Sequence, residues 1–82
     1  MLDVYYDPNF LKGIEKIKDA ATKEKARKQI KKIIQNPEIG KPLRFDLKGL
    51  RSVRVKPFRI LYEYKSNTIY FLDFDHRKSA YD

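Results

Sequence analysis

The chain has 82 residues, with 19 Lys or Arg against 11 Asp or Glu, for a formal net charge of +8. That length supports one domain, spanning 1–82, with one modest core close to the lower limit for folding without a staple. There is no cysteine and a single histidine, which excludes disulfide frameworks, thiolate metal sites and the multi-histidine zinc sites. No metal and no cofactor is expected. The opening MLDVYYDPNF has no basic region followed by a long apolar run, so it does not read as a signal peptide. No stretch approaches the length of a bilayer-crossing helix, and a cytoplasmic protein is the expectation. A sequence pI near 9.8 favours polyanionic partners, namely nucleic acid, an acidic protein or an anionic surface.

Leu2 to Tyr6 alternates weakly and stops at Asp7-Pro8, which predicts a short first strand. Asp7 then reads as an N-cap and Pro8 as the first helical residue, because a first-turn proline gives up no hydrogen bond. Leu11, Ile14, Ile17 and Ala21 follow at helical spacing. Asp19 or Thr22 can cap a second helix carrying Ala26, Ile30, Ile33 and Ile34 on its apolar side and ending before Asn36-Pro37. Lys23, Lys25, Arg27, Lys28, Lys31 and Lys32 make the outer surface of that helix basic. From Pro37 to Gly49 runs a connector with Lys41, Arg44 and Lys48.

The stretch LRSVRVKPFRILYEY, Leu50 to Tyr64, organises the rest. In extended chain successive side chains point to opposite faces. Val53 and Val55 therefore oppose Ser52, Arg54 and Lys56, while Phe58, Ile60, Tyr62 and Tyr64 oppose Arg59, Leu61 and Glu63. Lys56-Pro57 fits only a tight reversal. The prediction is a hairpin with one apolar face and one face of guanidinium groups; Tyr62 and Tyr64 belong to the core row. After a turn at Ser66-Asn67, Thr68 to Asp75 forms the last strand, with Tyr70, Leu72 and Phe74 on one side and Ile69, Phe71, Asp73 and Asp75 on the other. The order β-α-α-β-β-β plus a tail specifies an α+β domain. A helical hairpin packs on a mainly antiparallel four-stranded sheet.

Several of these pieces occur in an order that resembles the RelE/ParE superfamily of toxins from type II toxin–antitoxin pairs. They are Leu47-Lys48-Gly49-Leu50, then Val53-Arg54-Val55, then Phe58-Arg59-Ile60-Leu61-Tyr62 after a short turn, then His76-Arg77 with Tyr81 four residues on. The helical hairpin ending at Asn36-Pro37 fits as well. The resemblance implies a RelE-like fold and a ribosome-dependent endoribonuclease that cuts messenger RNA in the ribosomal A site. It also implies a cognate acidic, RelB-like antitoxin, contact with ribosomal RNA, and promoter DNA bound through the toxin–antitoxin complex. No membrane partner is implied.

Carried over by position, the catalytic residues are Arg54, Arg59, Arg77 and Tyr81. Lys56, Lys48, Arg44 and His76 are the candidate RNA-binding residues. Two departures stand out: Ser52 occupies a place where some ribosome-dependent members have a second basic residue, and Asp75 sets a carboxylate where glycine is common. Metal-free cleavage uses the RNA's own 2′-hydroxyl, so the site needs a base, a cationic cradle and an acid. Arg54 and Arg59 suit the cradle and Arg77 the leaving side; Tyr81 fits either a base or a stacking group. Two other readings compete. One is a ParE-like poison of DNA gyrase with no nuclease activity; the other is an RNA-binding module without chemistry.

Overall fold

A computed structural model describes residues 2–76 of the chain. The elements run β1 (Asp3–Tyr6), α1 (Pro8–Glu15), α2 (Ala20–Gln35), β2 (Lys41–Pro42), a 3₁₀ turn (Phe45–Leu47), β3 (Leu50–Val55), β4 (Phe58–Lys65) and β5 (Thr68–His76). The strands form one mixed sheet in the order β1-β5-β4-β3-β2, with β1 parallel to β5 and the other pairs antiparallel. This is the expected α+β arrangement with one strand more than expected. The addition is β2, two residues that pair Lys41 with Ser52 and Pro42 with Arg51, too short to leave an alternation in the sequence.

The helix boundaries follow local chemistry. Asp7 caps α1, its Oδ1 accepting from the Asn9 N–H at 2.8 Å, with Pro8 in the first turn. Asp19, not Thr22, caps α2; its Oδ2 accepts from the Thr22 N–H at 3.0 Å and from the Thr22 hydroxyl at 2.6 Å. These bonds favour the ionised carboxylate and hold Asp19 below its ordinary pKa. α1 stops at Glu15, so Ile17 lies beyond it, yet it is buried. Leu11 is largely exposed; the buried side chain of α1 is Phe10. α1 lies against β5 and α2 against β3. Together they cover one side of the sheet, and the core fills the gap with Phe10, Ile33, Ile60, Tyr62, Ile69 and Phe71.

The two hairpin turns differ in kind. Lys56-Pro57 is a cis peptide between the closing pair Val55 and Phe58, the two-residue reversal expected from proline. Ser66 and Asn67 both have positive φ, 51° and 58°, the type I′ geometry that matches strand twist.

One expectation about faces is overturned. A bulge opposite the Leu61/Tyr62 junction shifts the register, so that Leu61 pairs with Asp73 but Tyr62 pairs with Phe71. Leu72 is the extra residue. Strict alternation would put Phe71 and Phe74 on opposite sides; instead both rings meet Phe10, at 5.1 and 6.3 Å, and Ile69 joins them in the core. The bulge converts an ambiguous strand into one with a full apolar side.

Candidate functional site

With the helices on one side, the other side of β3, β4 and β5 carries the charged groups. Register sets them in rows. Arg54 pairs directly with Arg59, and Arg59 pairs with Asp75 on its other flank. Residues paired this way have Cβ atoms about 5 Å apart. The two guanidinium stems therefore rise side by side at one end of the sheet. In the next row Lys41, Ser52, Leu61 and Asp73 line up across four strands, with Ser52 and Leu61 buried. Arg54 is exposed and Arg59 half-buried. Arg54 makes no ion pair with any described residue. Asp75 faces Arg59 by register, while its Oδ1 accepts from the His76 N–H at 2.7 Å. Glu63 pairs with Leu50 and Tyr70.

Like charges placed directly across a strand pair destabilise a sheet. Setting two arginines directly across a strand pair is therefore costly for the sheet, and it brings together two groups suited to a shared anion. Two planar donors can grip the oxygens of one phosphodiester from adjacent strands. Lys56 stands exposed at the hairpin tip beside them.

The other candidates do not gather there. Arg44 and Lys48 flank the 3₁₀ turn before β3, at the end of that strand away from Arg54 and roughly 14 Å along it. His76 pairs with Phe58, and its ring meets the Phe58 ring edge-on at 5.9 Å. That places it on the helix side of the sheet, near Lys12 and Lys16 of α1 at a cleft of about 330 Å³. Arg77 and Tyr81 lie outside the described residues. Among the described residues no group of three or more His, Cys, Asp or Glu side chains is disposed to hold a metal ion. No described helix is long and apolar enough to cross a membrane.

Two residues gain a role that the sequence did not signal. Lys41 faces the same side as the arginine pair because β2 pairs it with Ser52. Arg51 points the other way and is structural. Its Nη1 donates to the carbonyls of Glu38 and Gly40, both at 3.0 Å, which ties the connector to β3. Tyr62, fully buried, completes that tie: its hydroxyl donates to the Pro37 carbonyl at 2.7 Å and accepts from the Gly40 N–H at 2.9 Å. A Cβ on Gly40 would come within 2.9 Å of Arg51 and closer still to the Tyr62 ring and hydroxyl, so only glycine fits. This anchor fixes where Lys41 enters the sheet.

Comparison with known proteins agrees with this architecture. The sequence matches the family model described as the ParE toxin of a type II toxin–antitoxin system, parDE, over residues 4–81. No curated protein matches it. The fold is similar to a YoeB/ParE toxin from Agrobacterium tumefaciens, with a TM-score of 0.81 at 19% identity, covering 93% of this chain and 99% of that one. It is similar to the RelBE2 toxin–antitoxin complex of Mycobacterium tuberculosis, with a TM-score of 0.76 at 25% identity over 93% and 98%. The intact RelBE complex of E. coli gives 0.77 at 12% identity over 96% and 100%. Since the matched family model runs from the first strand into the tail, the chain belongs to the ParE toxin family of type II toxin–antitoxin systems, within the RelE/ParE superfamily.

Proposed function

We propose that this toxin is an endoribonuclease that cuts messenger RNA on the ribosome. The observation that carries the reading is the direct cross-strand pairing of Arg54 with Arg59 on the sheet side away from the helices. In the proposed reaction the 2′-oxygen attacks the adjacent phosphorus as a base removes its proton. The bond to the 5′-oxygen then breaks, leaving a 2′,3′-cyclic phosphate on one fragment and, once the 5′-oxygen has taken a proton, a 5′-hydroxyl on the other. Negative charge concentrates on the non-bridging oxygens in between, where Arg54 and Arg59 would act; preorganised charge at such a position is usually the largest catalytic contribution. Arg77 is assigned to the leaving side and Tyr81 to the base or to orienting the 2′-hydroxyl. Lys56 and Lys41 would steer the flanking phosphates.

The partner proposed is an acidic antitoxin, favoured by the +8 charge and by the toxin–antitoxin complexes among the structural neighbours. Promoter binding by that complex rests on family analogy alone.

A second reading has its own support. The family model that matches is that of ParE, and Ser52, not a second cation, sits in the row beside the arginine pair. On this reading the arginine face would dock on DNA gyrase with no chemistry. A translation extract separates the two. The nuclease reading expects messenger cut at defined positions only when ribosomes occupy it, with cutting abolished by Arg59→Ala or Arg77→Ala. Gyrase cleavage complexes accumulating over intact messenger would establish the second reading instead.

A further inference from the structure

We propose that Phe45 is a stacking residue for an unpaired base of the RNA strand that the arginine pair holds. The inference rests on the RNA reading above and extends it to a second subsite.

Phe45 is the most exposed large apolar side chain among the described residues, at 90%. It also has a φ of 58°, in the left-handed region that a bulky side chain rarely adopts. The same loop needs a second left-handed residue four positions on and there has glycine, Gly49 with φ 96°. At the Ser66-Asn67 turn the two left-handed places go to small polar residues. Among the described residues, only position 45 combines backbone strain with exposed apolar area. The turn is held in place, with the Leu47 N–H donating to Arg44 O at 3.1 Å and the Lys48 N–H to Phe45 O at 3.0 Å. The ring is thus presented by an ordered turn. Strain retained in an ordered, exposed turn points to function.

The surroundings choose the occupant. Arg44 and Lys48 bound the turn that carries the ring, and both are exposed. Aromatic rings set among cations are how proteins hold single strands, the ring taking a base face and the cations the phosphates. Lys41, on the arginine side of the sheet, lies between the pair and this turn. A strand laid along β3 from Arg54 therefore meets a cation before it reaches Phe45.

The test compares the full wild-type chain with Phe45→Gly and Phe45→Trp. Readouts are melting temperature, anisotropy of a short labelled 2′-O-methyl RNA, and co-purification with the antitoxin. Phe45→Gly is expected to raise the melting temperature, because strain is relieved, and to weaken RNA binding about tenfold. Phe45→Trp should keep the affinity. Unchanged RNA affinity in a Phe45→Gly chain that melts higher would overturn the proposal. So would a loss confined to antitoxin binding, which would make the ring a protein contact. Arg54→Ala is the control for the underlying reading. If wild type binds the RNA and Arg54→Ala does not, the RNA reading stands whatever Phe45→Gly does; if wild type does not bind it, both fail.

Discussion

The hydroxyl of Tyr62 bonds two backbone atoms of the connector from inside the core, at Pro37 and Gly40. Tyr62→Phe keeps the ring and strands both partners, so a loss of about 1–3 kcal/mol is expected in urea unfolding. The phenol also makes stability depend on alkaline pH. Burial raises its pKa above the usual 10, with the Gly40 N–H and the Arg51 charge opposing. A group whose folded pKa is raised contributes fully below the unfolded value and loses that contribution as pH climbs through the folded one. Wild type should therefore lose stability above about pH 10, and Tyr62→Phe should lose less over the same range. A parallel alkaline limb in the two proteins would contradict this. The burial of Tyr62 was legible from strand alternation. Its partners were not, because a bond across 22 or 25 residues of sequence leaves no local pattern. Arg51 shows the same limit from the other side: alternation sets it on the face of Val53 and Val55, opposite Arg54, but the carbonyls it braces lie 13 and 11 residues away in sequence.

At the scale of elements, α1 seats on β5 through Gly13, where a Cβ would overlap the Phe74 carbonyl and lie 3.0 Å from the Phe74 Cβ. Helix propensity alone predicts that Gly13→Ala stabilises. The contact reverses the sign, and a net loss of about 1–2 kcal/mol is expected from overpacking, read as a lower urea midpoint with an unchanged slope. The cap is a simpler case: Asp7→Ala should cost about 1 kcal/mol by leaving the Asn9 N–H without its acceptor. Caps, turns and helix ends were legible because each is written in two or three adjacent residues. The bulge at Leu72 was not. Alternation offered Tyr70, Leu72 and Phe74 as one row and Ile69 and Phe71 with two aspartates as the other, and only packing against Phe10 decides that Ile69, Phe71 and Phe74 share a side. Strand β2 escaped notice because its pairing depends on the Tyr62 and Arg51 anchor, which forms only once the chain has folded.

Across the whole molecule, charge divides by location. The arginine pair lies on one side of the sheet, while the lysines of α2 sit on the outer surface of the opposite layer. Arg54 and Arg59 were legible as a pair because two strands joined by a two-residue turn fix which residues meet; the distance to Arg44 and Lys48 and the turning away of His76 required the register. On the proposed nuclease reading, this division separates two electrostatic effects. Local charge at the phosphodiester acts on the chemical step, so Arg54→Ala should lower the single-turnover cutting rate about a hundredfold with ribosomes saturating. Charge on α2 acts at long range on encounter. Replacing Lys25, Lys28 and Lys32 with glutamine should slow association with ribosomes and flatten its dependence on salt, because fewer counterions are released. The saturated cutting rate should stay at the wild-type level. Arg27 is the poorer target, since Glu24 already engages it at 2.9 Å. Stopped-flow association at several ionic strengths, set beside single-turnover cutting, measures both quantities on the same proteins. A fall in the saturated rate of the α2 variant would mean that this surface takes part in positioning the substrate, and the separation of steering from chemistry would be lost.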